Sequence, residues 1–196
     1  MIAGVLHVDS FVLQSLYHLR TVPLTYFFID VSEFGRLVTV VGLLSVFFVF
    51  LFHKKRFADL AGLVISVVGA GETLLLIKVL VSRVRPEFFY QAYPEGPLYS
   101  FPSAHAGLSI ALYGYIAYLL LQERATFFKT TVINALPVLI ALVGFSRLYL
   151  GVHYFSDVIA GFAVGGFFLW LGIKARLQLL VTKLQQANQY RRNRQN

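Results

Sequence analysis

Three stretches of this 196-residue chain place ionisable side chains where an anion would find them. The first holds Lys78 and Arg85, with Pro86 directly after. Seven helical residues at ~100° each return to within about 20° of one face, so both cations are expected to point the same way from a helix that Pro86 ends. The second, "YSFPSAHAG", sets Ser103 at a helix N-cap with Ala104 and His105 in the first turn. Free amides at a helix start attract phosphate, so hydroxyl and amides would hold phosphoryl oxygens while His105 faces the same point. The third, "SRLYLGVHYFSD", holds Arg147, His153 and Asp157. The spacing of His153 and Asp157 sets a carboxylate beside an imidazole, on one helix face or in a tight cap. Such a carboxylate orients one ring nitrogen and leaves the other free as nucleophile or base. Arg147 supplies a planar fork for two phosphoryl oxygens.

The fixed cations Lys78, Arg85 and Arg147 face a single carboxylate, Asp157, and the missing partner is most simply an anion. Zinc is the competing ligand, since His105, His153, Asp157 and Glu72 are all metal-binding types. The cations argue against it: at ~4 Å and an effective dielectric near 20 each would cost a bound cation about 4 kcal/mol. Neither a metal nor a cofactor is expected. With no cysteine there is no disulfide framework, thiolate site or cysteine nucleophile.

The elements that must hold these groups are membrane helices. The chain is 58% hydrophobic and 13% charged, with mean hydropathy +0.71, whereas soluble domains carry roughly a quarter charged residues. A soluble domain is excluded. Uncharged runs cover 37–52, 106–121, 130–145 and 158–173, and a fifth, 60–77, is broken only by Glu72. Sixteen helical residues span roughly 24 Å of a ~30 Å hydrocarbon core, so flanking polar residues must complete each crossing. The expected fold is an all-α transmembrane bundle of about five spans plus an N-terminal interfacial helix. Residues 1–36, with Asp9, His18, Arg20, Asp30, Glu33 and Pro23, read as an interfacial or re-entrant segment and not as a cleaved signal. Residues 37–176 form the expected core. The basic tail 177–196 is expected to stay helical through Leu184 and then fray into a solvated strand. Pro137 predicts a kink, and Gly161 to Gly165 a close-packing face. Glu72 is expected to be protonated and hydrogen-bonded to a neighbouring helix.

The net charge of +8 would suggest nucleic acid in a soluble chain. Here six basic residues follow the last apolar run, where anionic headgroups meet them, and no nucleic-acid partner is expected. Lys and Arg number 11 on the tail's side of a five-span bundle and 6 on the other, which predicts a cytoplasmic tail. The loop 82–103 and the turn at Gly151 then face outward. Tyr90, Tyr93, Tyr99 and the Pro94–Pro97 turn read as an aromatic belt.

The blocks "KVLVSRVRP", "PSAH" and "SRLYLGVHYFSD", in this order, resemble the pattern of the type 2 phosphatidic acid phosphatase superfamily. The resemblance implies metal-independent phosphoryl transfer by a helical membrane enzyme; with every candidate residue at the outward end, the expected reaction is at the outer face, on a phosphate or diphosphate carried by a lipid. It casts His153 as the nucleophile that forms a phosphohistidine, Asp157 as its orienter and His105 as the general acid. Lys78, Arg85, Ser103, Ala104 and Arg147 are cast as the phosphate cradle. Undecaprenyl diphosphate, phosphatidylglycerol phosphate, phosphatidate and lipid A phosphate all fit, and the compact size resembles bacterial plasma-membrane members. The family usually has Gly where this chain has Ala104, a strained choice if the backbone there needs a positive φ. A transporter or flippase for anionic lipids would want the same cations, but not the His153 and Asp157 pair.

Overall fold

Within a bilayer each backbone amide and carbonyl must be satisfied internally, so the apolar runs can cross only as helices. The computed structural model describes residues 2–93, 95–96, 99–124 and 126–194, with side chains from residue 5 onward. Its described residues form α1 (Ile2–His18), α2 (Val22–Glu33), α3 (Leu37–His53), α4 (Phe57–Val81), α5 (Ala104–Leu121), α6 (Phe127–Tyr149) and α7 (Phe155–Asn193). A short 3₁₀ turn occupies Phe88–Tyr90. Four helices, α4 to α7, are each long and apolar enough to cross a membrane, and α2 with α3, bent by 41°, bring the number to five if that pair is counted as one broken span. Four of the five expected spans coincide with α4 to α7; the run at 37–52 is α3, which reaches crossing length only together with α2. The first 36 residues form two helices where one was expected.

Lipid offers helices no hydrophobic reason to associate, so small residues must let backbones approach. Gly161 and Gly165 of α7 do this: a Cβ at either would run into a backbone carbonyl at the start of α5, that of Ser103 or Gly107. Gly172 meets Gly62 of α4 in the same way. Leu63, Ala70, Leu112 and Tyr115 are buried in the resulting core, while Val38, Leu80, Phe127 and Phe128 project outward as the apolar surface that lipid covers. Gly35, between α2 and α3, sits against α5 and α6. A Cβ there would lie 2.6 Å from a Val143 methyl and 3.1 Å from the His105 Cβ.

The end of the bundle remote from the three motif blocks is closed by charge. Asp59 accepts from Arg56 at 2.5 Å and also from Arg176, whose Nη1 donates to the Tyr118 hydroxyl at 2.9 Å. Arg56 continues to Glu123 at 2.8 Å, and Glu123 to Lys129 at 3.4 Å, tying α4, α6 and α7 together.

Two expectations are corrected. First, α4 stops at Val81: Ser82 turns left-handed with φ 50°, its amide bonded to the Lys78 carbonyl. Lys78 and Arg85 therefore share no helix face, because Pro86 sets only the last residue at which the helix could have ended. Second, α7 runs 39 residues to Asn193, so the tail past Leu184 is helical rather than frayed. Its Leu, Lys, Gln, Ala and Arg are strong helix formers, and neither Gly nor Pro interrupts 173–193. Helix α6 runs on through Pro137.

Candidate active site

The turn from α6 to α7 fixes His153. Gly151 adopts φ +69°, and a Cβ there would collide with the Tyr90 carbonyl and the Arg20 guanidinium, so only glycine fits. Tyr154 then caps α7, with the Asp157 carboxylate accepting from the Tyr154 amide at 2.9 Å. The same oxygen, Oδ2, lies 3.4 Å from His153 Nδ1, while Oδ1 takes Arg83 at 2.7 Å. Of the two arrangements the spacing allows, the tight cap is the one formed. Nδ1 thus carries the proton, and Nε2 presents its lone pair beside Arg85 Nη1, 3.3 Å away. Burial first, then Arg147, Arg85 and Lys78, hold the His153 imidazole well below its usual range, so it stays neutral near pH 7.

Lys78 is buried near the end of α4 and donates to the carbonyls of Tyr99 at 2.5 Å and Ser100 at 3.4 Å. The Ser100 amide bonds the Arg83 carbonyl at 2.8 Å, which holds the extended segment after α4 against the approach to α5. Arg85 reaches the site from that segment, donating to the Val152 carbonyl at 2.9 Å; burial holds its guanidinium below the usual value. Ser103 caps α5, its hydroxyl 3.5 Å from the Ala106 amide, and its own amide donates to the Asp157 carbonyl at 2.9 Å. Ala104 opens the helix and is not among the residues with positive φ, so replacing the family's glycine carries no strain.

A cavity of about 410 Å³ brings Lys78, Arg85, Ala104, His105 and His153 together, with Glu95 beside them. Its other walls are Leu37, Leu75 and Leu108, with Glu72 among them. Glu72 has no hydrogen bond to a neighbouring helix among the described residues; the expected pairing does not form, because its side chain faces this groove and the bundle surface. Ser103 and Asp157 are buried behind the cavity.

Arg147 differs from expectation. Its Nη2 is paired with Glu95, its Nη1 donates to the Tyr93 hydroxyl at 2.8 Å, and its buried Nε has no partner among the described residues. Tyr93 is thus part of the site and not of a lipid-facing belt; Pro94 and Pro97 lie outside the described residues. The charge tally changes too. Lys78, Arg83, Arg85 and Arg147 face Asp9, Glu95 and Asp157, in place of three cations against one carboxylate. The residues missed were Asp9, Arg83, Tyr93 and Glu95. A carboxylate inside an apolar helix is a signal of function that marked Asp9, and Arg83 stands two residues from Arg85. Glu95, in a Pro- and Gly-rich loop, carried no such signal.

The PAP2 superfamily model matches residues 59–179. A phosphatidylglycerophosphatase B of Bacillus subtilis (strain 168) is 35% identical over 134 residues, covering 65% of this chain and 63% of the relative. An undecaprenyl-diphosphatase of Sulfolobus acidocaldarius is 28% identical over 159 residues, covering 79% of this chain and 72% of the relative. The crystal structure of a transmembrane PAP2-type phosphatidylglycerolphosphate phosphatase from Bacillus subtilis superposes with a TM-score of 0.78 at 25% identity, over 87% of this chain and 85% of the other. The chain spans 63% of the length of the first relative and about half that of several others. With the three motif blocks gathered at one end of a multi-span helical bundle and inside the matched region, the chain belongs to the PAP2 superfamily of integral membrane proteins.

Proposed function

We propose that this protein is a metal-independent phosphatase acting on the phosphate monoester or diphosphate of a membrane lipid through a phosphohistidine. One observation carries the reading: a single cavity is lined by two imidazoles and the cations Lys78, Arg85 and Arg36, with Glu95, Glu72 and three leucines on the same wall. His153 Nε2 attacks phosphorus, the bond from phosphorus to the lipid oxygen breaks, and His105 gives that oxygen a proton. The charge created on the phosphorylated imidazole is balanced by Asp157 at Nδ1. Water then attacks phosphorus, passing a proton to His105; the bond from phosphorus to nitrogen breaks, and phosphate leaves with both histidines restored. Lys78, Arg85, Ser103 and the first amides of α5, that of Ala104 included, hold the equatorial oxygens, joined by Arg147 once Glu95 yields it. The first carbons of the lipid lie along Leu37, Leu75 and Leu108.

The names of the relatives favour phosphatidylglycerol phosphate and undecaprenyl diphosphate as substrates, with phosphatidate and lipid A phosphate in the same chemical class. The charge distribution supports an outward site and a cytoplasmic C-terminus, and the compact size resembles bacterial plasma-membrane members. In this reading 37–176 is the phosphatase core, 177–196 a basic cytoplasmic tail and 1–36 a support for the site. The test is phosphate release in detergent, with chelator present, from a panel of these four lipids. Release from at least one of them that His153→Ala abolishes is expected. Release that survives the substitution overturns the covalent route, and loss of all release on adding chelator overturns metal independence.

A further inference from the structure

Asp9 belongs to α1, ahead of the region the family model matches, yet it is 1% exposed and fully engaged at the site. Its Oδ1 accepts from the Ser156 amide at 2.8 Å; its Oδ2 accepts from the Ser156 hydroxyl at 2.6 Å and from Arg83 Nη2 at 2.7 Å. The other arm of Arg83, Nη1, donates to Asp157 Oδ1 and to the Ser156 hydroxyl, both at 2.7 Å, and its guanidinium lies over the Tyr154 ring. Carboxylate, guanidinium, carboxylate and imidazole form a row from Asp9 through Arg83 and Asp157 to His153.

We propose that Asp9 is a positioning residue for the nucleophile: it holds one arm of Arg83 so that Asp157 keeps an oxygen for His153. The inference rests on the phosphohistidine reading above. An arginine fork left alone with one carboxylate engages both of its oxygens. Here Asp9 takes Nη2, so Asp157 gives Arg83 only Oδ1 and keeps Oδ2 for His153 Nδ1 and the Tyr154 amide. Fold stability is a poor reason for the arrangement, because a buried ion pair barely repays its own desolvation. Without Asp9 the fork turns onto both oxygens of Asp157 and draws Oδ2 away from the imidazole. His153 also faces Lys78 of α4, Arg85 of the connecting segment, His105 of α5 and Arg147 of α6, which Asp9 does not touch.

Asp9→Asn keeps the side chain's shape and removes its charge. On the panel lipid that the wild type cleaves fastest, kcat is expected to fall by about 10- to 100-fold, the range a displaced reacting group produces, with KM changed less than about twofold. The acid limb of kcat moves to lower pH, because the imidazolium at His153 loses carboxylate support. Leu16→Ala, which loosens the packing of α1 on Ala106, Leu148 and Val158, lowers the thermal midpoint and leaves kcat and the limb in place. In an Arg83→Gln background Asp9→Asn adds nothing further, because its effect runs through Arg83. Peptide-resolved labelling of His153 by diethyl pyrocarbonate, which takes only the neutral ring, reads the same shift without turnover. Should the wild type release no phosphate from any panel lipid, the phosphatase reading falls while the labelling midpoint still decides for or against Asp9. The proposal is overturned by an unmoved midpoint in Asp9→Asn, by equal losses with and without Arg83, or by Leu16→Ala reproducing the Asp9→Asn profile.

Discussion

Glu95→Gln should tighten phosphate binding and weaken the unliganded protein at once. Glu95 lines the cavity where a phosphoryl group would sit and pairs with Arg147, which is fully buried. A phosphate dianion and a carboxylate ~6 Å apart repel by about 1.4 kcal/mol even at the dielectric of water, and by about 5 kcal/mol at an effective value near 20. The lower figure is tenfold in affinity, so the competitive inhibition constant of inorganic phosphate at pH 8 should drop at least about tenfold. Removing one partner of a buried pair costs up to about 3–5 kcal/mol. The amide oxygen still accepts from Arg147, and the Glu95 side chain is 16% exposed, so the low end of that range applies. The assay pairs inhibition kinetics with thermal midpoints: the midpoint of the variant falls without phosphate, and added phosphate raises it further than it raises the wild type's. An inhibition constant that rises would mean that Glu95 assists the phosphoryl group, and one that stays put would mean that the two never meet.

His153→Gln is expected to cut phosphate release by more than about a thousandfold while phosphate inhibition changes little, as for removal of a nucleophile. Because the His153 imidazole is held well below its usual value, the acid limb of activity should lie under ~6.5. The unfolded chain takes up that proton first, so the corresponding stability is full above ~6.5 and is lost as pH falls from there toward the folded value. The thermal midpoint should therefore drop over that window in the wild type and less in His153→Gln. Pairing a base at His153 with an acid at His105 predicts a bell-shaped pH profile, and a monotonic one would sink the pairing of the two rings. Gly151→Ala forces a side chain onto the Tyr90 carbonyl at a positive φ; a fall in both thermal midpoint and kcat is expected, and an unchanged kcat would separate this turn from the placement of His153.

Much of the site was legible because its chemistry needs fixed residue types at helix ends. Ser103 as a cap, the His153 and Asp157 spacing and the glycine face of α7 are all local patterns, and each forms as read. What escaped depends on distance in sequence: Arg83 meets Asp9 across 74 residues and Arg147 meets Glu95 across 52, contacts that only tertiary packing creates. The end of α4 was misjudged because Pro86 marks where a helix cannot continue, whereas the chain left it earlier, at Ser82. The tail was misjudged because polar composition describes solvation, and Gln, Lys and Arg are as content in a solvated helix as outside one.

The two carboxylates that escaped have opposite parts in one charge balance. Asp9 is buried and accepts three hydrogen bonds, from Arg83 and from the amide and hydroxyl of Ser156. Glu95 touches the cavity and, among the described residues, is held by Arg147 and Tyr93. Setting the imidazoles aside, and with Arg36 and Glu72 of the cavity wall cancelling each other, the four cations and three carboxylates sum to one positive charge. Exchanging Glu95 for a phosphoryl dianion brings that to neutrality, a state that tolerates the dry end of a membrane bundle better than either charge. In the mechanism proposed above, Glu95 would keep Arg147 paired until an incoming dianion took its place. Glu95 is then expected to weaken phosphate binding while it supplies the partner of a fully buried arginine.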